Sequence, residues 1–392
     1  MFVVIGISDN ENQYLEPKVL DIIHEAKIFS GGKRHHELMR HLLPKDYLWI
    51  DITVPIQRVI QEYEKFKEDI VVFASGDPLF YGFANTLKRL LPQAQLVVYP
   101  YFNSLQLLAH RMLVAYQDMR CVSLTGRPWN AFDEALIKGE KLIGSLTDQK
   151  KTPAMIAQRM LDYGYDNYII TIGECLGNSQ KEKVTTLSLT EASKQIFSFP
   201  NCVILQQTST RKQYFGIPED EFHLLNGRTR MITKMPIRLL TLSMLQLHGK
   251  QSFGDVGSCT GSISIEAKLQ FPHLNVTAFE IRQEGEELLQ KNAMKFGAPG
   301  IDFYAGDFLE IDTSTIPLPD AVFIGGHGGK LKEMVMKIKK NLKPNGCIVF
   351  NSVSADSLQM FREAVCEAGM RITSQTHIAI DSHNPIEILK AQ

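Results

Sequence analysis

One short run, Phe253 to Ala267 (FGDVGSCTGSISIEA), carries the densest chemistry in the chain. A hydrophobic approach leads to an acid, Asp255. A small-residue turn follows, Gly257-Ser258-Cys259-Thr260-Gly261, and then an apolar segment able to start a helix. Such a turn lets a cofactor lie against bare backbone at a helix N-terminus. About twenty residues on, VTAFE puts Glu280 at the end of a second apolar run, where a carboxylate can accept both hydroxyls of a ribose. FYAGDF then sets Asp307 and Phe308 after a third run. Strand–Gly turn–helix, strand–acid, strand–Gly-Asp reads as a nucleoside-binding α/β sheet. The turn lacks the phosphate-cradling pattern of a P-loop, so the cofactor it suggests is S-adenosylmethionine.

Two further segments could handle a ligand. FIGGHGGK, residues 323–330, places Gly325, Gly326, Gly328 and Gly329 around His327 after a strand. That much glycine suits a backbone passing close to something large and flat, and His327 could orient a carboxylate or assist proton transfer. A flexible loop with an incidental histidine is the plainer reading. Asn351 and Ser352, after the next strand, would line the same cleft. In the N-terminal half, ASGDPLFYGFANTL ends a strand at Ser75, Gly76 and Asp77, with Phe80 following. Loops at strand C-terminal ends are where open α/β sheets bind ligands. The alternative is a Gly-Asp-Pro turn with a helix cap.

These segments need a scaffold. The 392 residues suggest two or three domains. Hydrophobic residues are 44% and charged residues 22%, ordinary for a soluble globular chain, and the net charge of −1 argues against a nucleic-acid protein relying on bulk positive charge. The six cysteines, Cys121, Cys175, Cys202, Cys259, Cys347 and Cys366, form no CxxC pair or zinc spacing, so free thiols, a cytoplasmic location and no metal site are expected. No apolar run reaches the ~18 residues of a membrane span. The apolar start, Met1 to Ile7, reads as a first strand rather than a signal peptide.

The chain divides at a polar, turn-rich linker, 208–216. Before it, residues 1–207 show two α/β lobes, FVVIGIS through QLVVYP and MRCVSLTG through NCVILQQ. After it, residues 217–392 alternate strand and helix continuously, from QSFGDV to IEILKAQ, the pattern of a doubly wound Rossmann-like sheet.

Taken together, GGKRHHELM (31–39), ASGDPLFYG, SLTDQKKTPAMIA and TIGECLGNSQKEKV resemble the tetrapyrrole (corrin) methylase family, in particular its carbon-5 methyltransferases of cobalamin synthesis. The likeness runs over residues 1 to about 207. GIPEDEF, MITKMPIR, DVGSCTGSISIEA, AFE, GDF, FIGGHGG and LKPNGCIVFNSV, from about 214 to 392, resemble the decarboxylating carbon-15 methyltransferases of the same pathway. Both in one chain, in this order, resemble the fused precorrin-6Y (6B) C5,15-methyltransferase family. The resemblance implies S-adenosylmethionine in both halves. In the first it would be held by Ser75, Gly76, Asp77, Phe80, Asn103, Ser104, Leu146, Thr147, Cys175 and Leu176. In the second the matching positions are Thr233, Gly257 to Gly261, Glu280, Asp307 and Phe308. It also implies a small-molecule tetrapyrrole substrate, homo-oligomers, and neither nucleic acid nor membrane as partner.

Transfer of a methyl from a sulfonium mainly requires that a nucleophilic carbon be held ~3–3.5 Å away and water excluded. A meso carbon of a partly reduced tetrapyrrole is enamine-like and needs no strong base. The electron-poor system left by methylation can accept the electrons released as an acetate loses carbon dioxide, without metal or pyridoxal. The substrate's carboxylates call for cations. Candidates are Lys33, Arg34, His35 and His36 in the first half, and Arg228, Arg230, Lys234 and Arg238 in the second, with Gly325, Gly326 and Asn351 against the macrocycle. The plainer reading of each cluster is a solvated face.

Three positions depart from the family pattern. GISDNENQYL replaces a Gly-Pro-Gly run in the first loop, Tyr101-Phe102-Asn103 replaces a glycine opening, and Cys259 stands where glycine is usual. A cysteine fits there unstrained only if φ is negative. Two other functions stay open: one half silent and acting as a binding or channelling partner, or the C-terminal half methylating RNA or protein.

Overall fold

In the computed structural model, which describes residues 1–228, 231–380 and 385–392, the run FVVIGI forms strand β1 (Phe2–Ile7) with every residue buried. A strand buried on both faces belongs inside a parallel sheet. Its partners are β2 (Ile28–Gly31), β3 (Leu48–Asp51), β4 (Ile70–Ser75) and β5 (Leu96–Tyr99), ordered β3-β2-β4-β1-β5. The register runs Phe2↔Ile70 to Ile7↔Ser75, so the C-terminal ends of β1 and β4 finish side by side. A second sheet contains β6 (Arg120–Ser123), β7 (Leu142–Leu146), β8 (Tyr168–Glu174), β9 (Lys183–Ser188) and β10 (Asn201–Gln207), ordered β6-β7-β10-β8-β9. It is mixed: β6 and β7 are parallel, the other pairings antiparallel. Helix Ser104–Met112 covers it, with Leu105, Leu108 and Ala109 packed against Cys202 and Ile204 of β10. These are the two α/β lobes expected of residues 1–207.

The C-terminal sheet has seven strands: β11 (Ser252–Val256), β12 (Asn275–Glu280), β13 (Ile301–Ala305), β14 (Ala321–Ile324), β15 (Cys347–Ser352), β16 (Ile372–Ile378) and β17 (Ile386–Ala391). Their order is β13-β12-β11-β14-β15-β17-β16, with only β17 antiparallel to its neighbours. Helices cover both faces. Met334, Val335, Ile338 and Phe361 pack on one side, Ile237, Leu242 and Ile263 on the other. The winding reverses between β11 and β14, which is where open sheets of this class bind ligands. This is the doubly wound, Rossmann-like arrangement expected of residues 217–392.

The chain forms two compact units. One contains Met1–Arg127, Lys141–Gln158 and Tyr168–Thr208, the other Pro128–Glu140, Arg159–Asn167 and Ser209–Gln392. Within the second, Arg159 grips the fully buried Asp133 through Nε at 2.8 Å and Nη2 at 2.7 Å. Among the described residues no helix is long and apolar enough to cross a membrane.

Among the described residues, elements not anticipated include β3, β9 and helices Lys33–Met39, Ile56–Tyr63, Leu189–Ala192 and Met235–Leu245. β3 (LWID) spans only four residues, and β9 (KVTTLS) has no fully buried residue and reads as polar. Neither presents the apolar run that marks a central strand.

Candidate functional site

The C-terminal site begins where β11 ends. Gly257, at φ +79°, turns the chain so tightly that a side chain there would lie 2.8 Å from Gly326 N. The loops after β11 and β14 thus touch at the switch point, and only glycine allows it. Gly257 N and Ser258 N donate to the Phe279 carbonyl at 2.9 and 3.0 Å, and Gly325 N to the Val256 carbonyl at 2.8 Å. Gly261, at φ +73°, leads into helix Ser262–Gln270. Between them Cys259 has φ +50°. The open question about this position resolves to the strained alternative: a non-glycine residue in the left-handed region. Its amide donates to Glu280 Oε2 at 2.9 Å and its Sγ reaches the Met231 carbonyl at 3.3 Å.

Glu280 is buried at the end of β12. Its Oε1 accepts from Arg282 N at 3.0 Å and Arg282 Nη1 at 2.8 Å. Asp255, in the middle of the parallel sheet and 1% exposed, accepts from Ser264 N and Oγ through Oδ2. Burial pushes its carboxyl up to about 7 against those two bonds, and the Glu280 charge adds to the rise. Asp255 Oδ1, Ser258 Oγ and Thr260 Oγ1 are buried and have no partner among the described residues.

Asp255, Gly257, Ser258, Cys259, Thr260 and Glu280 line one cavity of about 940 Å³. It is also lined by Thr233 and Lys234 on one side, by Asp307, Phe308, Gly325, Gly326 and His327 at the strand ends, and by Asn351 on β15. Of the residues expected here, Gly261 caps the helix rather than lining the space. Asp307 accepts from Leu309 N at 3.0 Å and Lys330 Nζ at 2.8 Å, and the Lys330 bond holds it below the usual carboxylate range. Phe308 sits edge-on to Phe279, with centroids 5.1 Å apart. His327 Nδ1 accepts from Gly329 N at 3.2 Å, and partial burial lowers its pKa. Asn351 Nδ2 donates to Thr241 Oγ1 at 3.0 Å.

Arg238 is a correction. It is fully buried, with Nε on Glu266 Oε2 at 2.8 Å, Nη1 on the Thr233 carbonyl at 2.8 Å and Nη2 on the Ile217 carbonyl. A guanidinium so committed holds the backbone near Thr233 and offers nothing to a substrate. Arg230 lies outside the described residues. Lys337 was missed: its Nζ donates to the carbonyls of Phe308, Leu309 and Ile311 at 2.7, 2.9 and 2.6 Å, fixing the loop that carries Phe308. A lysine inside the helical run LKEMVMKIKKN gave no signal of this.

In the N-terminal unit the expected residues gather at the strand ends. Gly76 has φ +63°, and a side chain there would meet the Asn103 backbone at 2.9 Å. Asp77 Oδ1 accepts from Leu79 N at 2.8 Å. Phe80 and Leu146 pack beside Leu105 and Leu176 in one apolar cluster. Cys175, at φ +47°, hydrogen-bonds its amide to the Pro200 carbonyl at 2.8 Å. Two expected side chains are already used. Asn103 caps helix Ser104–Met112 through Oδ1, which accepts from Gln106 N at 3.0 Å. Thr147 Oγ1 donates to the Asn201 carbonyl at 2.6 Å. Lys33 is exposed, and Arg34 pairs with Asp9 at 3.2 Å. His36 is a second correction: it stacks on Trp49 with centroids 4.2 Å apart and bonds Tyr47 OH at 2.7 Å, so it packs rather than reaching a ligand. His35 and Arg34 instead both contact Ser75 Oγ, at 2.9 and 3.1 Å.

The C-terminal cavity fits an adenosine-bearing cofactor. Three orphaned polar atoms, a glycine turn and a strand-end carboxylate converge on a space of the size that encloses small molecules. Comparison with known proteins agrees. The model for tetrapyrrole (corrin/porphyrin) methylases matches residues 1–193, and that for a precorrin methyltransferase domain matches residues 226–390. A Sinorhizobium precorrin-6Y C(5,15)-methyltransferase [decarboxylating] is 30% identical over 355 residues, 90% of this chain and 84% of the relative. A Salmonella typhimurium cobalt-precorrin-6B C(15)-methyltransferase (decarboxylating) is 39% identical over 134 residues, 34% of this chain and 68% of that one. Among solved structures, a precorrin-6y C5,15-methyltransferase from Geobacter metallireducens is 31% identical, covering 45% of this chain and 96% of its own, with a TM-score of 0.41. With both halves accounted for in a single relative of this length, the chain belongs to the decarboxylating precorrin-6Y C5,15-methyltransferase family, S-adenosylmethionine-dependent enzymes of cobalamin biosynthesis.

Proposed function

We propose that this chain methylates the carbon-5 and carbon-15 meso positions of precorrin-6B, or its cobalt form, and removes the ring C acetate carboxylate. The observation that carries the reading is the conjunction itself: a tetrapyrrole-methylase region and a precorrin-methyltransferase region follow one another in one chain. Residues 1–207 would act at carbon-5 and residues 217–392 at carbon-15, joined by 208–216. S-adenosylmethionine, when bound, supplies an electrophilic methyl group in each half.

In the C-terminal half, Glu280 would hold the ribose, and the Gly257–Gly261 turn, Thr233 and the Asp307-Phe308 pair the rest of the cofactor. Lys234 brings a cation to the rim for a substrate carboxylate. Gly325 and Gly326, with no side chains, leave room for a flat ring beside Asn351. His327 acts as a donor. Its Nδ1 accepts the Gly329 amide, so the neutral ring carries its proton on Nε2 and can orient an acetate but not take a proton there. This suits decarboxylation, where the carboxylate must be held and no base is required. In the N-terminal half, Ser75 to Asp77, Asn103-Ser104, Leu146-Thr147 and Cys175-Leu176 would surround the cofactor, with Phe80 beside them. Lys33, Arg34 and His35 would face the substrate. The enzyme would work in the cytoplasm as a homo-oligomer, and the net charge of −1 supports the absence of a nucleic-acid partner.

Mass spectrometry of the product from a precorrin pool tests this. Two added methyl groups with one lost carbon dioxide are expected. A product with one methyl, or none, overturns the bifunctional reading.

A further inference from the structure

Helix Leu331–Asn341 breaks its own pattern in one place. Leu331, Met334, Val335 and Ile338 are buried, and Lys332, Lys339 and Lys340 are exposed, as an amphipathic helix requires. Yet the apolar Met336 is 43% exposed, while the charged Lys337 beside it is half-buried. Partial burial lowers the pKa of Lys337, so an ammonium is kept there at some cost. Its partners are carbonyls rather than carboxylates. Nζ donates to Phe308, Leu309 and Ile311 at 2.7, 2.9 and 2.6 Å, which uses all three of its protons, and it lies 5.1 Å from the centre of the Phe308 ring.

Those carbonyls belong to a segment that shapes the C-terminal cavity. Gly306 leaves β13 with its amide on the Glu280 carbonyl at 2.9 Å. Asp307 to Ile311 then make a single turn, in which Glu310 N and Ile311 N both donate to the Asp307 carbonyl at 2.9 and 3.2 Å. One isolated turn is marginal by itself, and its last carbonyls have no amide ahead of them. Asp307 and Phe308, at its start, line the cavity, and Lys337 does not. Lys330 holds the Asp307 side chain at 2.8 Å, but it is 53% exposed, and such pairs contribute little. Lys337 is the contact that holds the backbone of the turn.

We infer that Lys337 is a positioning residue of the C-terminal half, which acts from outside the cavity by holding the Asp307-Phe308 segment in the arrangement that receives the cofactor. The inference rests on the reading of this cavity as the S-adenosylmethionine site of carbon-15 methylation. Without the ammonium the turn samples other arrangements. Apparent affinity falls by the fraction of time spent in the competent one, so a turn ordered a tenth of the time binds about 10-fold more weakly. A bound cofactor restores the order, so the rate at saturation survives.

The test uses the full chain with Lys337→Met, which keeps the stem and removes the donors, and Lys337→Arg, which returns some of them. Hydrogen exchange read by mass spectrometry should be faster in the peptide spanning 306–312 of Lys337→Met, unchanged elsewhere in 217–392, and slowed again by S-adenosylhomocysteine. In carbon dioxide release, the KM for S-adenosylmethionine should rise about 10-fold with kcat within about 2-fold of the wild type. The KM for carbon-5 methylation should not move. Lys337→Arg should fall between Lys337→Met and the wild type in both readouts. Wild-type exchange in the 306–312 peptide of Lys337→Met, or an unchanged KM, overturns the proposal. So does a loss of kcat that saturating cofactor does not repair, which is what a misfolded half would give. If the wild type releases no carbon dioxide, the carbon-15 reading fails, and the exchange of the 306–312 peptide with and without S-adenosylhomocysteine still decides the role of Lys337.

Discussion

Cys259 should be a place where glycine improves the fold and alanine damages it. At φ +50° a residue with a Cβ sits in the left-handed region, which costs about 1–2 kcal/mol. Glycine removes that cost but adds unfolded-chain freedom worth about 0.5–1 kcal/mol. Both variants lose the contact from Sγ to the Met231 carbonyl at 3.3 Å, a weak thiol donor worth about 0.5 kcal/mol. The amide bond to Glu280 is backbone and survives in each. Cys259→Gly should therefore equal or slightly exceed the wild type. Cys259→Ala should fall below it by about 0.5 kcal/mol, leaving glycine ahead of alanine by about 0.5–1 kcal/mol. That is roughly 1–4 °C in melting temperature for a domain of this size. Urea and thermal melts of the three full-length proteins measure the order. The loss of the Met231 contact should also weaken S-adenosylhomocysteine at the C-terminal site about 2-fold in both variants. If alanine proves as stable as glycine, the turn carries no strain and the reasoning fails.

Other positions give sharper single readouts. Glu280→Gln should weaken S-adenosylhomocysteine about 10-fold at the C-terminal site and leave the N-terminal site alone, as two-site calorimetry would show; equal affinities would remove Glu280 from the ribose contact. Asp255, raised from 3.8 to about 7 in the folded chain, binds more protons folded than unfolded between those values. Stability should thus fall as pH rises from about 4 to 7, and Asp255→Asn should flatten that slope in urea melts at pH 5 and 8; parallel curves would mean the carboxyl is ionised throughout. Arg238→Ala should cost about 3–5 kcal/mol, because it strands the fully buried Glu266 without its partner, whereas a melt shifted by less than 1 kcal/mol would return Arg238 to the list of ligand-facing cations.

Most strands could be read because burial on both faces leaves a plain apolar run, as in FVVIGI and AVFI. The site loops could be read because glycines and acids fall where those runs stop. What spacing cannot give is whether an atom already has a partner. Arg238 looked like a substrate cation because Lys234 and Arg230 lie beside it. Its true partner, Glu266, is far along the chain on the helix that the glycine turn starts. His36 failed the same way, spent on Trp49 and Tyr47. Asp255, Ser258 and Thr260 are the reverse case. In sequence they are merely the small and acidic residues of a turn, but folding buries each with an unpartnered oxygen. An uncompensated buried polar atom costs about 1–3 kcal/mol. Three in one cavity persist when something outside the chain can satisfy them, and that cost, absorbed before any ligand arrives, is what ties the turn to its cofactor more firmly than its glycines do.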